Sequence, residues 1–371
     1  MKRLFVLILL SGLIIGGCSS SHKKPPKLAS GAPNAPAMIE WRVSPGDAAP
    51  GFAPAIIPSA VYVASKSGRV QRINSENGQM QWSVDTKAKL SAGPGADYSL
   101  VAVGTSNGEV IALDDAGHEL WRSRVSSEVV APPSVADGLV VVLTADNRVQ
   151  ALSASDGTTK WMFQRSLPSL IVRNHQGGAI TRGALFFGTA GGRLVAVDLE
   201  SGSIAWDVAV AIPKGATELE RIADVTSRPL IEENQVCSAA FQGRIACFDI
   251  QRGTPTWTRD IPSYSGIVAD DQNLYVSDDK GVVRALDKKT GANVWENNTL
   301  AGRWPSGPQL LGNNIAVVDI DGYLHVFDNE DGHYLGRMAT DGSAATVQPY
   351  LDGDQMIWQS KKGHVYAVVP R

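Results

Sequence analysis

From about residue 39 to the end of the chain, short apolar runs alternate with glycine turns, and the alternation repeats. One copy has an apolar run at Val61 to Ala64, a turn at Gly68, an alternating run through Val70 and Ile73, a second turn at Gly78 and a run carrying Trp82. Alternation with period two over so few residues predicts half-buried strands joined by tight turns. The first turn, a glycine two residues before Val, Leu or Ile, recurs at Gly108, Gly192, Gly243, Gly281, Gly322 and Gly363, and with asparagine at Asn147. That makes eight copies. Asparagine is the expected substitute, because it tolerates the left-handed backbone that such turns need.

The second half of the motif is a glycine with tryptophan four residues later. It appears as Gly78/Trp82, Gly117/Trp121, Gly157/Trp161, Gly202/Trp206, Gly253/Trp257 and Gly291/Trp295. The seventh copy reads Gly332 and Gly336, with no tryptophan, and the chain stops before an eighth. Trp41 stands 41 residues before Trp82 with no complete copy around it. The pattern therefore predicts an all-β, eight-bladed β-propeller over 39–371, its ring closed by an N-terminal strand that completes the last blade. Trp41, Trp82, Trp121, Trp161, Trp206, Trp257 and Trp295 are read as packing between adjacent blades, a use suited to their large apolar bodies.

Ahead of the repeat, Lys2 and Arg3 precede an apolar run from Leu4 to Ile15, then small residues and Cys18. The run falls short of the roughly 20 residues of a membrane-spanning helix, so residues 1–17 are expected to be a cleaved export signal. Residues 18–38 hold little apolar bulk and are expected to form a flexible linker. Lys and Arg number 34 against 37 Asp and Glu, a net charge of -3, and no basic stripe points to nucleic acid. Cys237 and Cys247 lie ten residues apart across the turn at Gln242 and Gly243. A disulfide and a pair of buried thiols both fit, because the register that decides between them is not legible in sequence.

Candidate chemistry is sparse. His22, His118, His175, His325, His333 and His364 show no metal-ligand spacing, and no nucleophile elbow or phosphate loop occurs. Acidic turns at Asp278 and Asp279 and at Asp319 and Asp321 lack the alternating oxygen ligands of a calcium loop. No catalytic residue, metal or cofactor is expected.

Function is then sought where repetition fails. The intervals between the eight turns are 40, 39, 45, 51, 38, 41 and 41 residues, so two consecutive connections carry additions, at about 164–178 and 211–226. Both follow an outer strand, which puts them side by side on one face. The first offers Leu170, Ile171 and Val172 beside Arg173, a composition suited to a protein-binding hot spot. In the second, Thr217 and Glu220 fit a capping box, with Leu219 and Ile222 on one side and Arg221 and Asp224 nearby. A plain plug, with Asp224 paired to Arg173 or Arg221, is the competing reading of the same residues.

Three resemblances add to this. The repeat, with Ala112-Leu-Asp114 and Ala285-Leu-Asp287 ahead of the glycine and tryptophan, resembles PQQ-type propeller repeats. Quinoprotein dehydrogenases of that type commonly carry an adjacent cysteine pair and long insertions around the central site, which this chain lacks. Ile15-Gly-Gly-Cys18 resembles a lipobox, implying a lipid anchor on Cys18, and Ser19 in place of aspartate implies the periplasmic face of the outer membrane. Leu167-Pro-Ser-Leu170-Ile-Val172-Arg173 and Glu218-Leu-Glu-Arg221-Ile-Ala-Asp224-Val225 are similar to the BamB family of the outer-membrane β-barrel assembly machinery. That resemblance implies a non-enzymatic scaffold in which Leu170, Ile171, Val172, Arg173, Arg221 and Asp224 bind the POTRA domains of BamA, alongside other subunits, with unfolded outer-membrane proteins as a further candidate partner. The family commonly has a second acid where this chain has Thr226. The alternatives are a quinoprotein-like dehydrogenase and a propeller that binds cell-wall polymer.

Overall fold

The computed structural model describes residues 24–49, 51–166, 168, 170–172 and 176–371. The export signal, Cys18, His22, Arg173 and His175 lie outside these. Among the described residues the chain forms eight antiparallel sheets of four strands each, arranged as the blades of a ring. Blade one comprises Ala55–Ile57, Ala60–Ala64, Arg69–Asn74 and Met80–Asp85. Blades two to seven repeat this order over 95–124, 134–164, 179–209, 230–259, 267–297 and 309–339. Each first strand lies at the axis against the first strands of its neighbours. Second and third strands are almost wholly buried, whereas the fourth alternates with solvent, which is the period-two pattern visible in the sequence.

Blade eight takes three strands from the C-terminal end, Tyr350–Asp352, Gln355–Gln359 and Val365–Pro370, and its fourth from Ala37–Val43. The N-terminal strand runs antiparallel to the last one, with Trp41 opposite Ala367. It begins two residues earlier than the repeat alone suggests. Closure in this way leaves no blade one strand short and ties the two ends of the fold together.

The seven tryptophans do more than pack. Each donates its indole N–H to a main-chain carbonyl in the next blade: Trp41 to Ser75, Trp82 to Asp115, Trp121 to Ala154, Trp161 to Leu199, Trp206 to Ile250, Trp257 to Lys288 and Trp295 to Asn329, at 2.6 to 3.1 Å. Each ring also lies against the glycine of that blade's second turn. A Cβ on Gly78 would come within 2.7 Å of Trp41, and one on Gly291 within 2.5 Å of Trp257. The glycine four residues before one tryptophan thus makes room for the tryptophan of the preceding blade.

The exception in blade seven has a physical reason. Its fourth strand, Tyr334–Ala339, has Gly336 at the tryptophan position, and a Cβ there would meet the carbonyls of Pro33 and Asn34 at 2.7 Å. The incoming N-terminal segment fills that space. Ala35 N–H donates to the Arg337 carbonyl and Arg337 N–H to the Pro33 carbonyl, both at 3.1 Å. Further out, the Arg337 guanidinium donates to the Ala29 carbonyl at 3.0 Å, Leu28 packs on the cluster around Trp295 and Phe327, and Arg303 donates to the Pro26 carbonyl. Residues 26–36, expected to be part of a free linker, are instead laid along blade seven. Low apolar content did not prevent docking, because backbone carbonyls supply most of the contacts.

Cys237 and Cys247 face each other on Gln235–Ala239 and Ile245–Asp249 and are joined by a disulfide, with Cα atoms 4.0 Å apart. Of the eight turns, Asn147 has the expected left-handed backbone, φ 61°. In blade five that conformation falls on Gln242, φ 49°, one residue before Gly243.

The interlock between blades predicts a difference between two glycines. Gly291→Ala meets the Trp257 ring at φ 67°, whereas Gly183→Ala, at φ 71°, meets nothing within 4 Å. Both pay the left-handed cost of roughly 1–2 kcal/mol. Gly291→Ala should lose about 1–3 kcal/mol more through overpacking. Urea unfolding of the two variants checks this, and equal losses would show that the indole does not need the space.

Candidate functional site

The two additions lie where the spacing puts them, on the face where fourth strands return to the axis. The first leaves Thr159–Gln164 of blade three and the second leaves Ile204–Ala209 of blade four. Their bases are pinned by charge. Arg165 and Arg193 both grip Asp207, at 2.6 and 2.5 Å, and Arg244 donates to the Val210 carbonyl at 2.6 Å.

Asp224 joins the two segments. Its side chain is almost wholly buried, 1% exposed, with one oxygen accepting the Val172 N–H at 2.6 Å and the other the Gly191 N–H at 2.8 Å. Its own carbonyl accepts from Phe241 N–H at 2.9 Å. A buried carboxylate needs such partners, since leaving it bare would carry a large desolvation cost. Asp224 therefore positions the surface and does not present its charge on it, which corrects the expectation of a partner-facing acid. Arg221 does not pair with it either: Arg221 donates to the Gly215 carbonyl at 3.0 Å and lies 3.5 Å from Glu218. Gln176 N–H donates to the carbonyl of Thr226, a second clasp between the additions, and Thr226 itself is buried.

The capping box forms as its residues predict. Glu220 N–H donates to the Thr217 hydroxyl at 3.3 Å, and the Glu220 carboxylate accepts from Thr217 N–H and Ala216 N–H at 3.1 and 2.8 Å. Those two N–H donors hold the Glu220 carboxyl below its ordinary range. The result is a single turn and not a helix. On it Leu219 is 67% exposed, with Ile212 at 63% and Leu170 of the first addition at 42%. Ile171, Val172 and Ile222 are half-buried. Apolar side chains this open, beside Arg221 and Glu218, form a surface with an unburied apolar centre and a charged rim.

The remaining candidates are engaged elsewhere. Asp319 is buried with Arg303 at 2.7 Å and His325 at 3.1 Å, and Asp321 also binds Arg303 at 2.6 Å. Burial pushes the Asp319 carboxyl up, but His325, the Tyr323 N–H and Arg303 outweigh it and hold it low. Asp278 pairs with Arg284 at 3.3 Å. His118 and His364 each contact an aspartate, Asp114 and Asp341. His333 stands 2.6 Å from Asp331, and Asp328 brings a third ligand atom, a second carboxylate oxygen, within 4.8 Å of the group, a largely exposed cluster at a turn spacing not expected from the sequence.

Sequence reasoning passed over one residue of this face. Trp304, outside the seven repeat positions, is 40% exposed and adopts a left-handed backbone, φ 46°. A tryptophan in a connection without a repeat motif was the available signal.

The axis holds a channel of about 510 Å³ bounded by first strands of several blades. At the face carrying the additions, Gln348 reaches across to the carbonyls of Ile267 and Pro308, at 3.0 and 2.8 Å, and Gln176 reaches towards Ser265 at 3.5 Å. These side chains cross the mouth of the channel.

Fold and site together define a repeat propeller whose distinctive feature is a pair of adjoining connections that leave Leu170, Ile212 and Leu219 open to solvent. The family model described as "Outer membrane protein assembly factor BamB" matches residues 66–297 and 279–369, and the chain belongs to that family. A relative from Bordetella pertussis bearing the same description is 37% identical, with 97% of this chain and 96% of the relative covered. One from Nitrosomonas eutropha is 40% identical over 85% of this chain and 78% of its own length. Among solved structures, BamB from Moraxella catarrhalis superposes with a TM-score of 0.82 at 24% identity, covering 90% of this chain and 99% of that one. Quinohemoprotein alcohol dehydrogenase from Comamonas testosteroni gives 0.71 at 13% identity, covering 90% and 76%, a likeness of fold alone.

Asp224→Ala leaves two part-buried N–H groups without their acceptor, a loss of roughly 1–3 kcal/mol each. Hydrogen exchange should therefore quicken at Val172 and Gly191 and remain unchanged in the second and third strands of blade one. Unchanged exchange at both amides would show that the clasp does not hold the additions in place.

Proposed function

We propose that this chain is a non-enzymatic scaffold of the outer-membrane protein assembly machinery, binding the periplasmic POTRA domains of BamA through the face built by its two additions. The observation that carries the reading is the exposed apolar group Leu170, Ile212 and Leu219, held in fixed relation by the buried Asp224. Family membership supports it, since the relatives are named as assembly factors. Arg173 and Arg221 would supply the positive rim, with Ile171 and Val172 completing the apolar part.

Binding here involves no bond chemistry. The propeller orients its partner by rigidity: interlocked blades fix the two connections, and the connections present a preorganised surface that loses little freedom on binding. A lipid chain on Cys18 would hold the protein at the periplasmic face of the outer membrane, where two or more acyl chains suffice for stable anchoring. Delivery of unfolded clients follows from position beside BamA, and direct pairing of client strands with an exposed fourth strand is compatible with the same geometry.

Affinity capture of the tagged protein from detergent extracts tests the reading. Wild type should recover BamA, and Leu170→Ala/Leu219→Ala should recover at least roughly tenfold less, as expected when two exposed apolar anchors are removed. Equal recovery with both proteins would remove the site, and no BamA with wild type would remove the function.

A further inference from the structure

The apolar surface does not stop at the additions. Phe241, whose N–H is held by the Asp224 carbonyl, meets Tyr264 edge-on at 6.3 Å between ring centres. The Thr226 hydroxyl lies 3.5 Å from the Tyr264 carbonyl. Beyond Tyr264 opens a cleft of about 130 Å³ lined by Trp304, Pro305, Ile320, Val347 and Lys361. A row of aromatic rings thus leads from the second addition to this cleft.

Trp304 is held open there. A bulky side chain at φ 46° is an outlier that persists only where its surroundings dictate it. Those surroundings are the preceding residue: Arg303, 3% exposed, is locked to Asp319 and Asp321, donates to the docked Pro26 carbonyl, and its own carbonyl accepts from Ile320 N–H at 3.1 Å. The ring beside it stays 40% exposed, with no ring stacked on it and no cation over its face among the described residues. Lys361, at the rim, is exposed and pairs with no acid among the described residues.

We propose that the Tyr264–Trp304 cleft is a second contact of the same binding face, taking one apolar side chain of the partner chain whose neighbouring carboxylate meets Lys361. The size fits a single side chain, since an apolar cavity of about 150 Å³ accepts a benzene-sized group. The charge sets the rest: a lysine that pairs with no acid among the described residues, at the rim of a cleft that an exposed indole lines, favours an acid next to the inserted group. The inference rests on the partner reading given under Proposed function, and extends the surface from the connections of blades three to five to blades six, seven and eight.

Binding of full-length wild type and variants to the periplasmic domain of BamA, measured by calorimetry, tests it. Trp304→Gly removes the ring and relieves the left-handed backbone, so its unfolding midpoint should stay level or rise while affinity falls about thirtyfold or more. A merely structural tryptophan would give the reverse. Ala345→Phe, which fills the cleft with Trp304 in place, should weaken binding to a similar degree. Lys361→Glu should weaken it about three- to tenfold, with a smaller loss at high salt. Wild-type affinity in Trp304→Gly and Ala345→Phe, with Leu170→Ala/Leu219→Ala weakened, overturns the cleft and leaves the additions as the interface. If wild type itself does not bind, the function proposed above fails and the cleft proposal with it. Should Trp304→Gly unfold, Ala345→Phe and Lys361→Glu decide: weakened binding upholds the cleft, and unaltered binding overturns it.

Discussion

Everything else in this molecule depends on the contact of one indole with the glycine of the next blade. Every fourth strand but that of blade seven carries a tryptophan that reaches over the second turn of its neighbour, donates to a carbonyl there and occupies the room that a Cβ would take. Seven such contacts join consecutive sheets around the ring. A blade alone could not bury its second and third strands; flanked on both sides it buries them almost completely. The result is a stiff support on which connections can vary without loss of fold.

That stiffness gives the two additions their meaning. A connection of fifteen or so residues would ordinarily lose much freedom on binding. Here Asp224, Gln176 and the pair of arginines on Asp207 hold the segments against each other before any partner arrives. The acid expected to face the partner does its work from inside. The N-terminal segment is treated in the same way: seated where the eighth tryptophan would lie, residues 29–36 are held to blade seven before the chain enters blade eight as its fourth strand.

Sequence carried the architecture because the repeat records a physical necessity at fixed intervals. Turn glycines, the tryptophans and the stray Trp41 were enough for the blade count and the closure. The unequal intervals located the additions, and Thr217 with Glu220 gave the local turn. What escaped was everything set by contacts between distant segments. Nothing near Asp224 announces that its oxygens are committed to Val172 and Gly191, and nothing in 26–36 announces docking through carbonyls. The state of Cys237 and Cys247 depended on register, and Trp304 was hidden by the abundance of tryptophans with a structural purpose.

The central claim is that a buried acid creates the binding surface by fixing two connections on an interlocked ring. The most direct test is the affinity of Asp224→Asn for the BamA periplasmic domain, beside its unfolding midpoint. Asparagine keeps the size but has one acceptor oxygen for two N–H donors. The account predicts an affinity lowered tenfold or more, about 1.4 kcal/mol, with the ring's cooperative unfolding preserved. Wild-type affinity in that variant, with exchange at Val172 or Gly191 accelerated, would contradict it.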